Sequence, residues 1–494
     1  MTLTKDPTAS VGTLPAERSL TGSLGVTSIV LMVVAAAAPL TVIGGSAPLG
    51  ILLGNGVGFP SMFAIAAIVL LFFSVGLAAM TKHVPKPGAF FTFVNYGLGK
   101  PAGLATAFLA LLTYTTIQVS VYGYVGYILS VTLTGLGAPD LPWYLYSLAA
   151  VALVGFLGYR HIDLSSKVLG VLLLGEVGVV LALVVAVVVN GGPEGLSMAP
   201  FEPNNVLTGS PAIGLMFAIA AFIGFESTAI FRDEAKDPGR TIPRATYVAV
   251  IGIGVFYTLA SWALVMAWGP SGVVAQAAEN PGAMILITTL AYLGPIGQVV
   301  MNVLLITSMF ACVLSFHNVI TRYQHSMSNA RVLPDFLGRV HTKHSAPHLS
   351  SIVQTATAAI LTILFAVLGL DPVLQVFTWF SGVATLAIAV LMAVTSVAVV
   401  VYFARTRKDR RLWNTVIAPV LGLLGLLGAA VLIATNFPFL VGDVDADGAP
   451  VFGVVSAVLL GLVVLFPLGG LVQALILKRT NRVAYDQITD AIGG

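Results

Sequence analysis

Long apolar runs separated by short polar joins make up almost the whole chain, and most are longer than a soluble core element requires. An α-helix crosses the hydrocarbon of a bilayer with about twenty apolar residues. That length marks twelve spans, at roughly 24–53, 59–81, 101–133, 141–158, 164–189, 210–231, 243–268, 296–321, 349–370, 372–404, 413–436 and 451–477. The first, third, eighth and tenth exceed a simple crossing, which predicts helices that tilt, kink or extend past the bilayer. The pattern predicts an all-α, polytopic membrane protein with twelve transmembrane helices.

The polar joins test that count independently. If successive spans alternate in direction, one side holds both tails and the joins 81–100, 159–167, 232–244, 322–347 and 405–412. All 23 lysines and arginines fall on that side. The opposite side holds acids alone: Asp140, Glu194, Glu202, Glu279, Asp371, Asp443, Asp445 and Asp447. One miscounted early span would scramble this separation, so an even count is expected. The positive-inside rule then places both termini in the cytoplasm and the chain in the cytoplasmic membrane. A face left with acids alone follows from the same bias and does not by itself signal cation attraction.

Composition removes other classes. The chain is 57% hydrophobic and 9% charged, against roughly a quarter charged in an average soluble protein, so a soluble reading fails. A net charge of +3 with no basic tract argues against nucleic acid as a partner. The single cysteine, Cys312, lies in an apolar run and reads as a small buried hydrophobe, which excludes a disulfide framework or thiolate metal site. Residues 443–448, Asp-Val-Asp-Ala-Asp-Gly, begin like a calcium loop, but Val454 stands where the closing bidentate glutamate belongs. No metal and no cofactor are therefore expected. Residues 1–21 are polar and mixed in charge, and the run after them is too long for a signal-peptide core, so it is expected to stay as a span.

Two carboxylates remain inside spans. Glu176 lies nine residues after Lys167, or about 14 Å into the bilayer. Glu226 lies six residues before Arg232, or about 9 Å from the basic side. Charged groups at such depth are costly and usually mark a pathway or proton relay. Loss of water disfavours the ionised form, so either glutamate is able to take up a proton near neutral pH. The alternative is a permanently protonated glutamate bonded to a neighbouring helix. His317, in the inner half of the eighth span, reads as a packed neutral histidine rather than a third titrating group.

Two spans are interrupted. Residues 38–48 of the first, Ala-Pro-Leu-Thr-Val-Ile-Gly-Gly-Ser-Ala-Pro, combine two prolines with adjacent glycines. The sixth has a milder break at Ile223, Gly224, Phe225 and Glu226. Irregular backbone at this depth is tolerated only where it is buried or lines a cavity. Spans one and six each open a set of five, and an odd number inverts the second set relative to the first. Paired interruptions in inverted repeats point to a midplane binding site. Half-helix N-termini offer N–H groups to an anion and freed carbonyls accept from an amine, a combination that suits an α-amino acid. Glycine-rich helix packing is the rival explanation. Tyr114, Tyr122, Tyr124 and Tyr127 in the third span, with Trp379 in the tenth, are candidate pocket residues. Membrane aromatics more often pack or anchor, and of these Tyr114, Tyr122 and Trp379 are retained as possible lining.

Three segments carry a family resemblance. Residues 222–226, Phe-Ile-Gly-Phe-Glu, are followed by Glu-Ala-Lys-Asp-Pro-Gly-Arg-Thr-Ile-Pro-Arg-Ala at 234–245. Residues 322–334 read Arg-Tyr-Gln-His-Ser-Met-Ser-Asn-Ala-Arg-Val-Leu-Pro, with Ala346 and Pro347 after them. Residues 84–93 read Val-Pro-Lys-Pro-Gly-Ala-Phe-Phe-Thr-Phe. In this order they resemble the amino acid–polyamine–organocation (APC) family of permeases. The resemblance implies a LeuT-like fold of five plus five inverted spans, with two C-terminal helices outside the core. It divides the chain into a cytoplasmic tail 1–23, a core 24–404 with repeats at about 24–190 and 210–404, helices eleven and twelve at 411–478, and a tail 479–494. It further implies that Ile43, Gly44, Gly45 and Ser46 bind a substrate carboxylate. Ala221, Phe222, Ile223 and Gly224 would supply carbonyls for the amine and a gating aromatic, and Glu226 would gate or couple protons. The first-span loop departs from the commoner Gly-Ser-Gly order. Glu176 stands near the fifth-span lysine that replaces sodium in some members, so a protonatable carboxylate is the expected substitute.

The function expected is secondary active transport of an amino acid or related amine by alternating access, as proton symport with sodium the other candidate ion. A polyamine permease or exchanger is the alternative. A channel would not need paired broken helices, a receptor would need a soluble sensor domain longer than any join, and an enzyme would need a phosphate loop, metal cluster or nucleophile motif.

Overall fold

Backbone N–H and C=O groups surrounded by lipid must find partners within their own element, and all regular structure in the described residues is helical. The computed structural model describes residues 24–84, 90–160, 166–228, 235–341, 347–447 and 449–491. Residues 85–89, Glu234 and Ala346 of the family-like segments, and the tail 1–23, lie outside them. Pairing between extended segments is limited to two isolated bridges, Leu24 with Ala235 and Val444 with Pro450.

Ten helices among the described residues are long and apolar enough to cross a membrane. The first of these runs from Val26 to Thr81 and contains non-helical backbone at Gly54 (φ −95°, ψ −126°). Helix Trp143–Tyr159 is apolar but has 17 residues. The spans take their numbers with that first run divided at Gly54 and the shorter helix counted. Numbered on that basis, span 1 is 26–54, span 2 Phe59–Thr81, span 3 Lys100–Gly135, span 4 Trp143–Tyr159, span 5 Ser166–Asn190 and span 6 Pro211–Thr228. Span 7 is Pro238–Trp268, span 8 the part of Met284–Asn329 after Gly294, span 9 His348–Val367, span 10 Pro372–Phe377 with Thr378–Thr406, span 11 Trp413–Ile417 with Ala418–Val441, and span 12 Val454–Thr480.

Two joins are more structured than the polarity pattern suggests. Between spans 2 and 3 lies helix Phe90–Leu98, which buries Phe90, Phe91, Phe93 and Val94. Phe90 packs edge-on against Phe73 of span 2 at 5.6 Å, and Phe91 does the same to Tyr323 of span 8 at 5.2 Å. Between spans 7 and 8 the chain forms Val273–Glu279 and then a helix that breaks at Gly294 (φ +71°) before Pro295. All three helical stretches are shorter than a membrane crossing, so a window sized for spans passes over them.

Spans 1, 2, 6 and 7 pack among themselves, as do spans 3, 4, 8, 9 and 10. Span 5 bridges spans 1, 7 and 8. Span 12 lies on span 3, and span 11 on spans 2 and 10. Their outward faces are apolar, with Leu424, Val431, Val458 and Leu465 exposed, as expected of surfaces that meet lipid. Ion pairs among the described residues gather at the end bearing the lysines and arginines, where Lys100 meets Asp486 at 3.3 Å and Arg411 meets Asp409 at 2.7 Å.

Small residues set the close helix approaches. A Cβ at Gly422 of span 11 would stand 2.7 Å from the Phe73 backbone N and 2.9 Å from its Cα. Backbone cannot rotate aside as a side chain can, so Gly422→Ala is expected to destabilise the fold by about 1–3 kcal/mol. A lower apparent melting temperature of the detergent-solubilised protein measures this.

Candidate functional site

The break in span 1 has a specific origin. Helix Val26–Ala36 ends where Ala38 takes the left-handed conformation (φ 49°, ψ 72°), a strained state for a residue with a Cβ. Pro39 follows and has no N–H. Helical bonding resumes when the Val42 N–H reaches the Ala38 carbonyl. In a continuous helix the Leu40 N–H would reach Ala36; here it points to Glu176 Oε2 of span 5 at 3.5 Å, long for a hydrogen bond. The same oxygen accepts from the Ser308 hydroxyl of span 8 at 2.7 Å.

Span 6 breaks in a parallel way. Helix Pro211–Ala220 gives way to turns at 221–224, with Gly224 at φ +112°, a conformation suited to glycine. The Gly224 N–H donates to Glu226 Oε2 at 2.8 Å. The other oxygen of Glu226 accepts from the Tyr114 hydroxyl of span 3 at 2.6 Å. Each intramembrane glutamate therefore takes an N–H freed by a broken helix and a hydroxyl from span 3 or span 8. Both are buried, at 5% and 6% exposure, and no salt bridge reaches either among the described residues.

Between the breaks lies a small cavity of about 30 Å³, room for water but not for a larger solute. Span 1 contributes Ala37, Thr41, Val42 and Ser46 to its wall, and span 6 contributes Ala220 and Ile223. Across from them stand Ile117 and Val121 of span 3, Cys312 and Phe316 of span 8, and Phe377 and Ser381 of span 10. The Thr41 hydroxyl is buried and has no hydrogen-bond partner among the described residues. Toward the acidic end, the Tyr124 and Phe377 rings meet at 5.3 Å, and a Cβ on Gly45 would come within 3.0 Å of both. Toward the basic end, Tyr114 packs beside Phe316 at 6.1 Å and Tyr323 at 5.7 Å. The site is closed at both ends.

The structure sorts the expected residues. The span 1 interruption falls at Ala37–Ala38, ahead of the glycines, and Ile43, Gly44, Gly45 and Ser46 lie in the continuous, π-helical second half. Gly44 and Gly45 lie close to Tyr124, and Gly45 also to Phe377, where an added Cβ would stand 2.9–3.0 Å from those side chains. Of the eight residues expected around a substrate, Ser46 and Ile223 line the cavity, whereas Ile43, Gly44, Gly45, Ala221, Phe222 and Gly224 are absent from its lining. Tyr114, Tyr122 and Trp379 are also absent from it. Tyr114 instead holds Glu226, Tyr122 is buried with its carbonyl taking the Ser147 hydroxyl, and Trp379 is half-buried elsewhere on span 10. His317 bonds Ser351 of span 9 at 2.8 Å, consistent with a packed histidine.

Comparison with known proteins agrees with this architecture. A family model described as amino acid permease matches residues 24–465. The chain is 23% identical over 307 residues to the low-affinity putrescine importer PlaP of Escherichia coli (strain K12), covering 60% of this chain and 66% of that protein. It is 25% identical over 330 residues to the branched-chain amino acid permease BcaP of Bacillus subtilis (strain 168), covering 62% and 67%. It is 24% identical over 200 residues to the aspartate-proton symporter of the same bacterium, covering 39% and 38%. The match thus spans about two thirds of the first two relatives.

The Tyr114–Glu226 contact gives a direct test. Tyr114→Phe keeps the ring but removes the donor to a buried carboxylate oxygen, and is expected to cost about 1–3 kcal/mol in stability. Thermal unfolding of the purified protein in detergent measures the loss, and an unchanged transition would show that the bond carries no net weight.

Proposed function

The chain belongs to the amino acid permease family, and on that footing we propose that it is a secondary active transporter moving an amino acid or related amine across the cytoplasmic membrane by alternating access. The observation that carries this reading is the pair of broken helices, spans 1 and 6, flanking one closed cavity, with the freed backbone of each held by a glutamate. Matching breaks support two inverted halves at about 24–190 and 210–404, with spans 11 and 12 outside them. The one-sided lysines and arginines support cytoplasmic termini.

Proton symport is the coupling this site supports best. Glu176 faces an N–H of span 1 and a hydroxyl of span 8, so it joins a helix next to the solute to one of the surrounding wall. As a carboxylate it accepts charge-assisted bonds from both; with a proton those bonds weaken, and the two helices are released from one another. A proton gradient that sets the protonation of Glu176 differently from each side thereby biases which way the site opens. Glu226 ties the span 6 break to span 3 by the same chemistry and serves as the gate toward the basic end.

Glu176→Gln is expected to abolish solute uptake driven by an imposed pH gradient in proteoliposomes while leaving counterflow exchange intact. Gradient-driven uptake at the wild-type rate would remove Glu176 from the coupling role. For Glu226→Gln, lost net uptake with surviving counterflow supports coupling, and loss of both modes assigns the residue to the gate alone.

A further inference from the structure

Resting on the transport reading above, we infer that the solute is an α-amino acid with an uncharged, apolar side chain, its charged head lying at span 1 and its side chain against spans 3, 8 and 10. The wall opposite span 1 is built from three helical stripes of two residues each. Ile117 and Val121, Cys312 and Phe316, and Phe377 and Ser381 are all four apart, so each pair lies one turn apart on a single helix face. Five of these six side chains are apolar or nearly so. The sixth, Ser381, already donates its hydroxyl to Ser120 of span 3 at 3.2 Å.

Among the described residues, no lysine, arginine, histidine, aspartate or glutamate lines the cavity. A carboxylate or ammonium on the solute side chain would lose its water against this wall and gain no counter-ion, which selects strongly against charged side chains. The two nearby glutamates do not change this. Glu226 is engaged by Tyr114 and Gly224, and Glu176 by Ser308 and Leu40, and neither is part of the lining. A diamine, which needs an acceptor for each ammonium, meets the same obstacle. The phenyl rings of Phe316 and Phe377 offer only a weak pull on a cation.

The span 1 side is different. Thr41 presents the buried hydroxyl that lacks a partner among the described residues, and Ser46 lines the cavity with it. Thr41 sits just past the break, where half-helix N–H groups and freed carbonyls suit a zwitterionic head, and Ser46 lies further along the same helix. Polar groups on one wall and apolar stripes on the other orient the solute. Because the cavity holds about 30 Å³ when closed, the walls must separate to admit it, and Phe316 and Phe377 are the bulky groups that yield.

Counterflow needs no driving ion, so it tests solute choice apart from coupling. Proteoliposomes of the full chain preloaded with unlabelled L-isoleucine should accumulate labelled L-isoleucine. L-leucine and L-valine should compete, whereas L-aspartate, L-lysine and putrescine should bind more weakly by roughly a hundredfold. Ile117→Val should shift the isoleucine-to-valine preference by roughly tenfold. Thr41→Val should raise the KM for all substrates by a common factor. Counterflow of L-aspartate, L-lysine, putrescine or L-asparagine at an affinity equal to or above that of isoleucine overturns this inference and leaves the transport reading standing. Absence of counterflow with every one of these labelled solutes overturns the transport reading itself. An unshifted preference in folded Ile117→Val, judged by its wild-type melting temperature, refutes the side-chain placement.

Discussion

Backbone polar groups released inside a membrane must be bonded by something other than water, and the arrangement at the centre of this protein follows from that requirement. A continuous helix meets it automatically. Spans 1 and 6 do not, because Ala38 and Pro39 end one ladder and Gly224 ends the other. The released N–H groups of Leu40 and Gly224 are answered by Glu176 and Glu226. Neutral acceptors would serve the same geometry, but a carboxylate adds a charge that a proton can cancel.

The bonds that hold the other helices are of another kind. Gln118 of span 3 donates to the Val313 carbonyl of span 8 at 3.0 Å and accepts from Gln354 of span 9 at 2.8 Å. His317 meets Ser351 of span 9, and a Cβ on Gly158 of span 4 would come within 2.5 Å of its ring. Amide–carbonyl and amide–amide bonds do not titrate in any accessible pH range. Spans 3, 8 and 9 are thus joined by the Gln118 and Gln354 amides and by the packed His317, whereas the broken helices meet spans 3 and 5 through carboxylates. That contrast separates the parts suited to stay together from the parts suited to move.

Several features were legible before any coordinates. Both glutamates stood out because, histidine aside, they alone among acids and bases fell within apolar runs, and the structure buries both. Gly224 was found through its glycine within an otherwise helical stretch. The reading of span 1 was less direct. Gly44 and Gly45 resemble a break because glycine permits one, yet they lie within helix and let Tyr124 and Phe377 approach closely. The break itself sits at Ala38, and the signal for it is the proline that follows. The pocket residues were harder still. Ile117, Val121, Cys312 and Phe316 lie on helices that are apolar all round, so no polarity pattern marks the face that turns inward.

The sequence by itself determined what the bilayer enforces: which segments are apolar for the length of a crossing, which joins are charged, and which carboxylates are left at depth. These depend on the cost of moving each residue from water to hydrocarbon, a property of local composition. The tertiary structure alone decided that Glu176 meets Leu40 and Ser308, that Glu226 meets Tyr114, and that Phe90–Leu98 forms a buried helix beside spans 2 and 8. Those pairings join residues 112 to 136 positions apart in the case of the glutamates. They depend on how helices of nearly uniform apolarity rotate and pack, and shape complementarity settles that only when all of them are in place.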